Sequence, residues 1–190
     1  TLQIADGLWL DKKFKAAMMK SIAQSELDRK RFVYSDIGFI LLQQVVEAVT
    51  GKTLDAYLVS EFYRPMGLEH TLFQPLNRYK KADIMPTAAN DYLRRQDLCG
   101  YVHDEAAAFM GGVSGNAGLF STAQKKEKIY QMILNEGELD GKRYLRPETC
   151  RIFTTEKSAV SHRGLGYDKP NLKDPKANAC ASSAPASVYG

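Results

Sequence analysis

The stretch from residue 31 to residue 51 constrains the fold of this 190-residue chain more than any other. Its second half is almost wholly apolar, and the polar residues Gln43, Gln44 and Glu47 fall on one narrow arc at a 3.6-residue period. A long apolar run with one thin polar arc is typical of a helix that other elements surround. The sequence therefore predicts a helix that is buried over most of its circumference.

Both ends of this helix carry recognisable capping residues. Ser35 or Asp36 can accept backbone N–H bonds at the N-terminus, and Gly51 suits the left-handed residue just past the C-terminus. Tyr34 is thus held just before the first turn of a buried helix, where its hydroxyl can face a cleft. The corner Tyr34-Ser35-Asp36 is the candidate functional site.

Apolar periodicity and capping residues predict five further helices and one tight turn. The helices are expected at 11–27, at 53–63, from Asp104 to Gly111, at 121–135 with a capping box that begins at Ser121, and at 147–153. The turn is expected at 139–142, as a small hairpin. Only residues 163–167 are predicted as a strand, and residues 64–100 form a long connection of the kind that often lines a site.

Composition indicates one ordinary globular domain, or a large part of one. Lys and Arg total 26 against 22 Asp and Glu, so the excess is mild, and the short basic clusters read as solvated helix faces instead of a nucleic-acid interface. No apolar run approaches the roughly 20 residues of a membrane span. Cys99, Cys150 and Cys180 allow at most one internal disulfide.

Cofactor and metal sites find little support in the spacing of the candidate residues. Gly112, Gly115 and Gly118 give G-x-x-G-x-x-G, which matches neither the dinucleotide fingerprint nor the P-loop. Cys99 and His103 suggest a metal site, with Asp104 and Glu105 beside them, but paired-ligand motifs are missing from the sequence. The prediction is therefore no cofactor and no metal.

Four motifs in a fixed order carry a resemblance to a known superfamily. They are Tyr34-Ser-Asp36-Ile-Gly-Phe-Ile-Leu-Leu, Gly51-Lys-Thr-Leu-Asp55-Ala-Tyr, Phe62-Tyr-Arg-Pro-Met-Gly67-Leu and Gly112-Val-Ser-Gly-Asn-Ala-Gly118-Leu-Phe-Ser-Thr-Ala123. On these motifs the chain resembles the serine β-lactamase, penicillin-binding-protein and esterase superfamily. More closely, it is similar to the serine-hydrolase domain attached to some bacterial family-3 β-N-acetylglucosaminidases.

The resemblance implies a β-lactamase/transpeptidase-like α+β fold. This chain would supply mostly the helical subdomain, at about residues 8–155, followed by a sheet-entry segment and loop at about 156–190. In that superfamily a Ser-x-x-Lys serine is acylated, a Tyr-x-Asn tyrosine assists, and a Lys/His-Ser/Thr-Gly triplet lines the opposite wall.

By this resemblance Tyr34 takes the place of the assisting tyrosine and would carry a proton to or from the nucleophile or leaving group. Asp36 replaces the asparagine, and an ionised carboxylate only accepts hydrogen bonds. The replacement of asparagine by Asp36 counts against efficient β-lactam hydrolysis but leaves esterase or peptidase action open. The carboxylate of Asp36 could instead pair with the nucleophile's lysine. Ser114-Gly-Asn116 is a second candidate for the role of the Tyr-x-Asn motif, and Ser114 and Asn116 are predicted to bind substrate. The alternative is that this glycine-rich segment is a structural loop. Relatives usually carry His where Asn116 stands.

Two motifs of the superfamily are missing from these residues. No serine is followed three positions later by lysine, and no Lys/His-Ser/Thr-Gly occurs. The resemblance places the first before Thr1 and the second after Gly190, so the chain alone is expected to be inactive. Its parent would be a serine hydrolase that acts on peptide, amide or ester bonds of peptidoglycan-like material in the periplasm or cell envelope.

Two other classes of function stay open at this stage. The chain could be a non-catalytic helical module that binds the cell wall or a partner, or the accessory domain of a β-N-acetylglucosaminidase. A partial α+β fold would also expose the apolar face that normally meets the sheet, which predicts dimerisation or aggregation.

Overall fold

A computed structural model of the chain describes residues 1–26, 33–155, 158–174, 184–185 and 187–189. The strands are β1 (Leu2–Ala5), β2 (Leu8–Leu10), β3 (Leu72–Phe73), β4 (Pro86–Asp91), β5 (Gln96–Cys99), β6 (Leu119–Phe120), β7 (Glu138–Leu139) and β8 (Lys142–Arg143). The α-helices are α1 (Lys13–Gln24), α2 (Ile37–Thr50), α3 (Leu54–Leu58), α4 (Glu105–Phe109), α5 (Ala123–Leu134) and α6 (Pro147–Thr154). A π-helical turn follows α3 at Val59–Tyr63, and short 3-10 turns cover Pro75–Asn77 and Lys81–Asp83.

The described strands form four antiparallel pairs. These pairs are β1 with β2, β3 with β6, β4 with β5, and β7 with β8. The pair β3–β6 sets Leu72 opposite Phe120 and thereby ties two distant parts of the chain together. The chain therefore combines helices with small sheets.

The structure has no strand at residues 163–167, so that prediction is wrong. The Gly164 N–H donates to the Tyr167 carbonyl, and Gly166 has φ +95°, which gives a turn. Two glycines in five residues favour such a turn because glycine adopts positive φ without steric cost. Within residues 158–174, strand pairing is limited to an isolated bridge between Ser158 and Ser161.

The described residues divide into two compact units. The first contains residues 1–26 and 34–126, and the second contains Val33 and the described residues from Glu127 onward. In the first unit, buried side chains of β1, of α4 and of the connection before α4 form a small core: Ile4, Val102, Ala107 and Ala108, with Leu10 and Ala117 packed against it. This core fixes α4, which leads directly into the glycine-rich segment.

Helix α2 is present as predicted, but the prediction that it is buried over most of its circumference is wrong, because only Ile40 and Gln43 are buried. Its buried face is also not the one that its apolar residues suggest. Gln43 is 2% exposed and Ile40 is 1% exposed, so the polar arc faces the interior of the first unit. The outward face is apolar and comprises Ile37, Phe39, Leu41, Leu42, Val45 and Val49, which are 39–81% exposed. The arc turns inward because its side chains hold two neighbouring segments, as described below.

The ends of α2 follow the predicted capping in part. Gly51 adopts φ +67° and its N–H donates to the Glu47 carbonyl, as expected of a left-handed C-terminal residue. At the N-terminus the Ser35 hydroxyl accepts from the Ile37 N–H at 3.2 Å, whereas the Asp36 side chain makes no capping bond. Of the two candidates, Ser35 is therefore the cap, and the Asp36 carboxylate stays available for other contacts.

The other local signals are largely confirmed. Asp104 caps α4 by accepting from the Ala107 N–H at 2.7 Å, and β7 and β8 form the expected hairpin around Asp140 and Gly141. Helix α5 begins at Ala123, two residues after the predicted start, and Thr122 instead of Ser121 accepts the capping bond, from Lys125 N–H at 3.3 Å. The predicted end of α1 at residue 27 lies outside the described residues.

The hairpin β4–β5 is fixed by a buried ion pair at its turn. Asp91 and Arg94 are both fully buried at their side chains, and two guanidinium nitrogens of Arg94 reach the carboxylate at 2.8 and 2.7 Å. The Arg94 backbone N–H also donates to Asp91 at 2.7 Å. Hydrogen bonding from Arg94 lowers the pKa of Asp91 to about 2, despite the opposing effect of burial.

We expect Asp91→Asn to destabilise the protein by about 3–5 kcal/mol near neutral pH, because it leaves the Arg94 cation buried without a counter-charge. The folded-state pKa lies below the value of 3.8 for the free group, so the stabilisation is complete above about pH 4 and is lost as pH falls toward 2. Urea unfolding of both proteins from pH 6 to pH 2 measures this difference.

The matched control is Glu61→Gln, which removes an exposed ion pair with Lys52. Exposed pairs contribute about 0–1 kcal/mol, so this variant should unfold almost like the unmodified protein at every pH. Equal losses for the two variants would show that the Asp91–Arg94 pair does not hold the hairpin.

Candidate functional site

Tyr34 and Asp36 lie together at the entrance to α2. Tyr34 is 65% exposed, and its hydroxyl donates to Asp36 Oδ1 across 3.4 Å. This separation is longer than the 2.5–3.0 Å of an ordinary O–H···O bond, so the contact orients the phenol weakly. The structure thus brings the two predicted catalytic side chains into contact at an accessible position.

The glycine-rich segment after α4 lies directly against α2. A Cβ at Gly115 would stand 2.2 Å from the Phe39 carbonyl oxygen, so only glycine permits this approach of two backbones. The Gln43 amide binds the same segment: it donates to the Val113 carbonyl at 3.2 Å and accepts from the Gly115 N–H at 3.1 Å. Its second N–H donates to Glu47 at 3.0 Å. A buried polar side chain is stable when it is hydrogen-bonded in this way.

Ser114 and Asn116, the predicted substrate-binding residues, are joined through hydrogen bonds to a third side chain. The Ser114 hydroxyl donates to Asn116 Oδ1 at 2.6 Å, and Asn116 Nδ2 donates to Asp104 Oδ1 at 2.9 Å. Sequence reasoning treated Asp104 only as a helix cap. Its second role was not predicted because twelve residues separate it from Asn116 and no local pattern links them.

These two residues form one side of an apolar cavity of about 330 Å³ in the first unit. Helices α2 and α3, the π-helical turn, the glycine-rich segment and the pair β3–β6 border it, and it is open to solvent. Its lining residues are Phe39, Leu42, Gln43, Val46, Leu54, Leu58, Tyr63, Phe73, Ser114, Gly115, Asn116, Ala117 and Leu119. Tyr34 and Asp36 are not among them, so the structure does not bring the two predicted pairs of site residues into one cavity.

Other tyrosines of the first unit suit structural roles. Burial raises the pKa of Tyr63 to about 12. Burial, followed by a hydrogen bond to Asp6 at 3.1 Å, raises the pKa of Tyr101 to about 12 as well. Both phenols therefore stay protonated near neutrality and cannot accept a proton there. Asp6 is itself paired with Lys81, which lowers the pKa of the Asp6 carboxyl.

The metal site that Cys99 and His103 suggest is not formed. The Cys99 thiol donates to the Ile84 carbonyl at 3.2 Å, and His103 Nε2 lies 3.9 Å from a carboxylate that Arg94 already binds. Within the described ranges, no three His, Cys, Asp or Glu side chains are grouped to hold a metal ion. Cys99 and Cys150 are free thiols, and Cys180 lies outside the described residues.

None of the helices that the structure describes combines the length and apolarity needed to cross a membrane.

Two curated bacterial proteins are similar to this chain over most of its length. The chain is 37% identical over 169 residues to a putative D-alanyl-D-alanine carboxypeptidase of Escherichia coli K12, a match that covers 83% of this chain and 39% of that protein. It is 36% identical over 155 residues to the N-acetylmuramyl-L-alanine amidase of Bacillus subtilis 168, covering 75% of this chain and 35% of that protein. The chain thus spans about two fifths of the length of the curated relatives it matches.

A solved structure shows the same fold at lower identity. The octameric penicillin-binding protein homologue from Pyrococcus abyssi superposes with a TM-score of 0.59 at 18% identity, over 84% of this chain and 36% of that one. The β-lactamase/transpeptidase-like α+β fold expected from the sequence is therefore confirmed. No name among these relatives refers to a β-N-acetylglucosaminidase, so that closer resemblance stays a prediction.

The Beta-lactamase family model matches residues 2–170, nearly the whole chain. This match shows that the chain belongs to the Beta-lactamase family.

Proposed function

We propose that this chain forms one wall of an acyl-transfer site in a longer serine hydrolase of the DD-peptidase, β-lactamase or esterase type. The observation that carries the proposal is the exposed Tyr34 hydroxyl in contact with Asp36, at the start of α2, in a chain of this family. Tyr34 transfers a proton to or from the nucleophile or leaving group. Asp36 orients Tyr34 and offers a carboxylate to a cation supplied by another segment.

The nucleophile of the proposed reaction lies outside these 190 residues. None of their serines has the Ser-x-x-Lys spacing, and covalent catalysis needs an activated nucleophile. The substrate is a peptide, amide or ester in peptidoglycan-like material, as the names of the carboxypeptidase and amidase relatives suggest. We place the parent protein in the periplasm or cell envelope on the same ground, with the helical subdomain at about residues 8–155.

Ser114 and Asn116 are proposed to bind substrate from the cavity wall. Their hydrogen bonds to each other and to Asp104 leave the Ser114 lone pairs and one Asn116 N–H for a ligand. The apolar walls suit the side chain of an acyl group.

We expect the isolated chain to show no turnover of a chromogenic cephalosporin or an aryl ester, and no labelling by a fluorophosphonate probe. The physical reason is that Tyr34 has no nucleophile to assist. Turnover or serine labelling that persists in Tyr34→Phe would contradict the proposal.

When the chain is joined to the Ser-x-x-Lys and Lys/His-Ser/Thr-Gly segments of the longer polypeptide, Tyr34→Phe should lower kcat by about 10²–10⁴-fold. Tyr92→Phe, at a 74% exposed tyrosine elsewhere, is the matched control and should leave kcat unchanged.

In the same longer polypeptide, Asp36→Asn should raise the hydrolysis of a cephalosporin relative to that of an aryl ester. An amide can donate a hydrogen bond to a substrate carbonyl, whereas an ionised carboxylate can only accept. The measurement is the ratio of kcat/KM for the two substrates, with an increase of about tenfold expected for one recovered hydrogen bond. An unchanged ratio would show that Asp36 does not determine the substrate specificity of the site.

The isolated chain should associate through the apolar face of α2. Two copies related by a two-fold axis would cover the same 14-residue helix on each other, and this face is continuous along its length. The double substitution Val45→Gln and Val49→Gln should weaken the dimer at least about tenfold in sedimentation velocity, because burying each of these apolar side chains contributes about 1.5–3 kcal/mol. Met85→Gln, at an 86% exposed residue away from α2, should leave association unchanged. A monomer at all concentrations would exclude this interface.

A further inference from the structure

The cavity of about 330 Å³ in the first unit has an uncharged lining. Among the described residues that border it, the polar side chains are Gln43, Tyr63, Ser114 and Asn116, and the rest are apolar or glycine. An ion that entered this space would lose its hydration without gaining a counter-charge, which costs free energy. The cavity therefore favours an uncharged ligand group.

Tyr63 differs from the other polar residues of this lining. Gln43 is hydrogen-bonded to the glycine-rich segment, and Ser114 and Asn116 are hydrogen-bonded to each other. Tyr63 is 7% exposed, yet no residue in the described part of the chain forms a hydrogen bond with its hydroxyl. The protein thus leaves one buried phenol of the cavity wall without a partner of its own.

This phenol needs a hydrogen-bond acceptor from within the cavity. Buried polar groups in folded proteins almost always have a partner, because an unpaired one costs free energy. Burial raises the pKa of Tyr63 to about 12, so the hydroxyl keeps its proton near neutrality and can donate it to a hydrogen bond. Water can accept this bond in the free protein, and the carbonyl oxygen of a ligand can replace the water in a complex.

We propose that Tyr63 is the hydrogen-bond donor of a binding site for an uncharged acyl group. The aliphatic or aromatic part of the group occupies the cavity, and its carbonyl oxygen accepts from the phenol. The inference rests on the proposed function in taking this cavity as part of the substrate site. It narrows the substrate to esters and amides with an apolar, uncharged acyl group and keeps any carboxylate of the substrate outside the cavity.

Three small molecules of nearly the same shape test the two parts of this proposal. Toluene supplies only the apolar ring, benzamide adds an uncharged carbonyl group, and benzoate replaces the amide with a carboxylate. Ligand-observed NMR titration of the unmodified chain suits the roughly millimolar dissociation constants that molecules of this size reach.

We expect benzamide to bind at least about tenfold more tightly than benzoate, because the carboxylate would be desolvated without a counter-charge. Tyr63→Phe should weaken the binding of benzamide by about 2–10-fold, the range for one net hydrogen bond, and leave that of toluene unchanged. Tyr92→Phe, at an exposed tyrosine outside the cavity lining, is the matched control and should alter none of the three affinities.

Several results of this titration would overturn the proposal. They are equal binding of benzoate and benzamide, equal weakening of benzamide and toluene by Tyr63→Phe, and no binding of any of the three molecules. These readouts concern binding alone, so a failure here is distinct from a failure of the proposed role of Tyr34, which is measured by kcat.

A second measurement needs no substitution. The ring resonances of Tyr63 in the unmodified chain should shift when benzamide is added. Those of Tyr79, whose hydroxyl is hydrogen-bonded to His70 at 2.8 Å and which does not line the cavity, should stay unchanged. Benzamide binding without a shift at Tyr63 would place the ligand elsewhere, and the proposal would fail.

Discussion

The buried amide of Gln43 is the interaction on which the rest of the first unit depends. It satisfies a carbonyl and an N–H of the glycine-rich segment, which could otherwise pair only with water. An unpaired buried polar group costs about 1–3 kcal/mol, so the amide and the segment stabilise each other only as a pair. This contact sets the position of Ser114 and Asn116, and it explains why the polar arc of α2 points inward.

Glu47 extends the same arrangement to the next helix. Its carboxylate accepts from Gln43 and from the Leu54 N–H at 3.1 Å, which supplies the cap that Thr53 does not provide with its own side chain. One polar arc of α2 thus fixes both the glycine-rich segment and the start of α3. The apolar cavity lies between these attachments, so its shape follows from the polar bonds around it and not from close apolar packing.

Local signals made much of the secondary structure predictable. Gly51, Asp104 and the pair Asp140-Gly141 each act within a few residues, and the structure contains the cap or turn that each predicts. The hairpin β4–β5 was missed because its first strand, Pro86–Asp91, carries proline, alanine and asparagine instead of alternating β-branched residues. The buried Asp91–Arg94 ion pair at its turn is a side-chain contact that no periodicity reveals.

The candidate site was predictable only where its residues are neighbours in sequence. Tyr34 and Asp36 are two positions apart, so the sequence identified both as parts of one corner, although it did not predict the contact between them. The bond from Asn116 to Asp104 and the burial of Gln43 depend on how α2 meets the glycine-rich segment, a tertiary arrangement. The predicted division of the chain at about residue 155 stays a prediction.

The close approach of Gly115 to the Phe39 carbonyl has a consequence for how this segment tolerates change. Even a methyl group at position 115 collides with backbone, which cannot rotate away as a side chain can. The flanking positions 114 and 116 carry side chains that end in hydrogen bonds, so an exchange there costs those bonds instead of causing a backbone collision of this kind. A combinatorial library that diversifies both neighbours should therefore retain this single glycine.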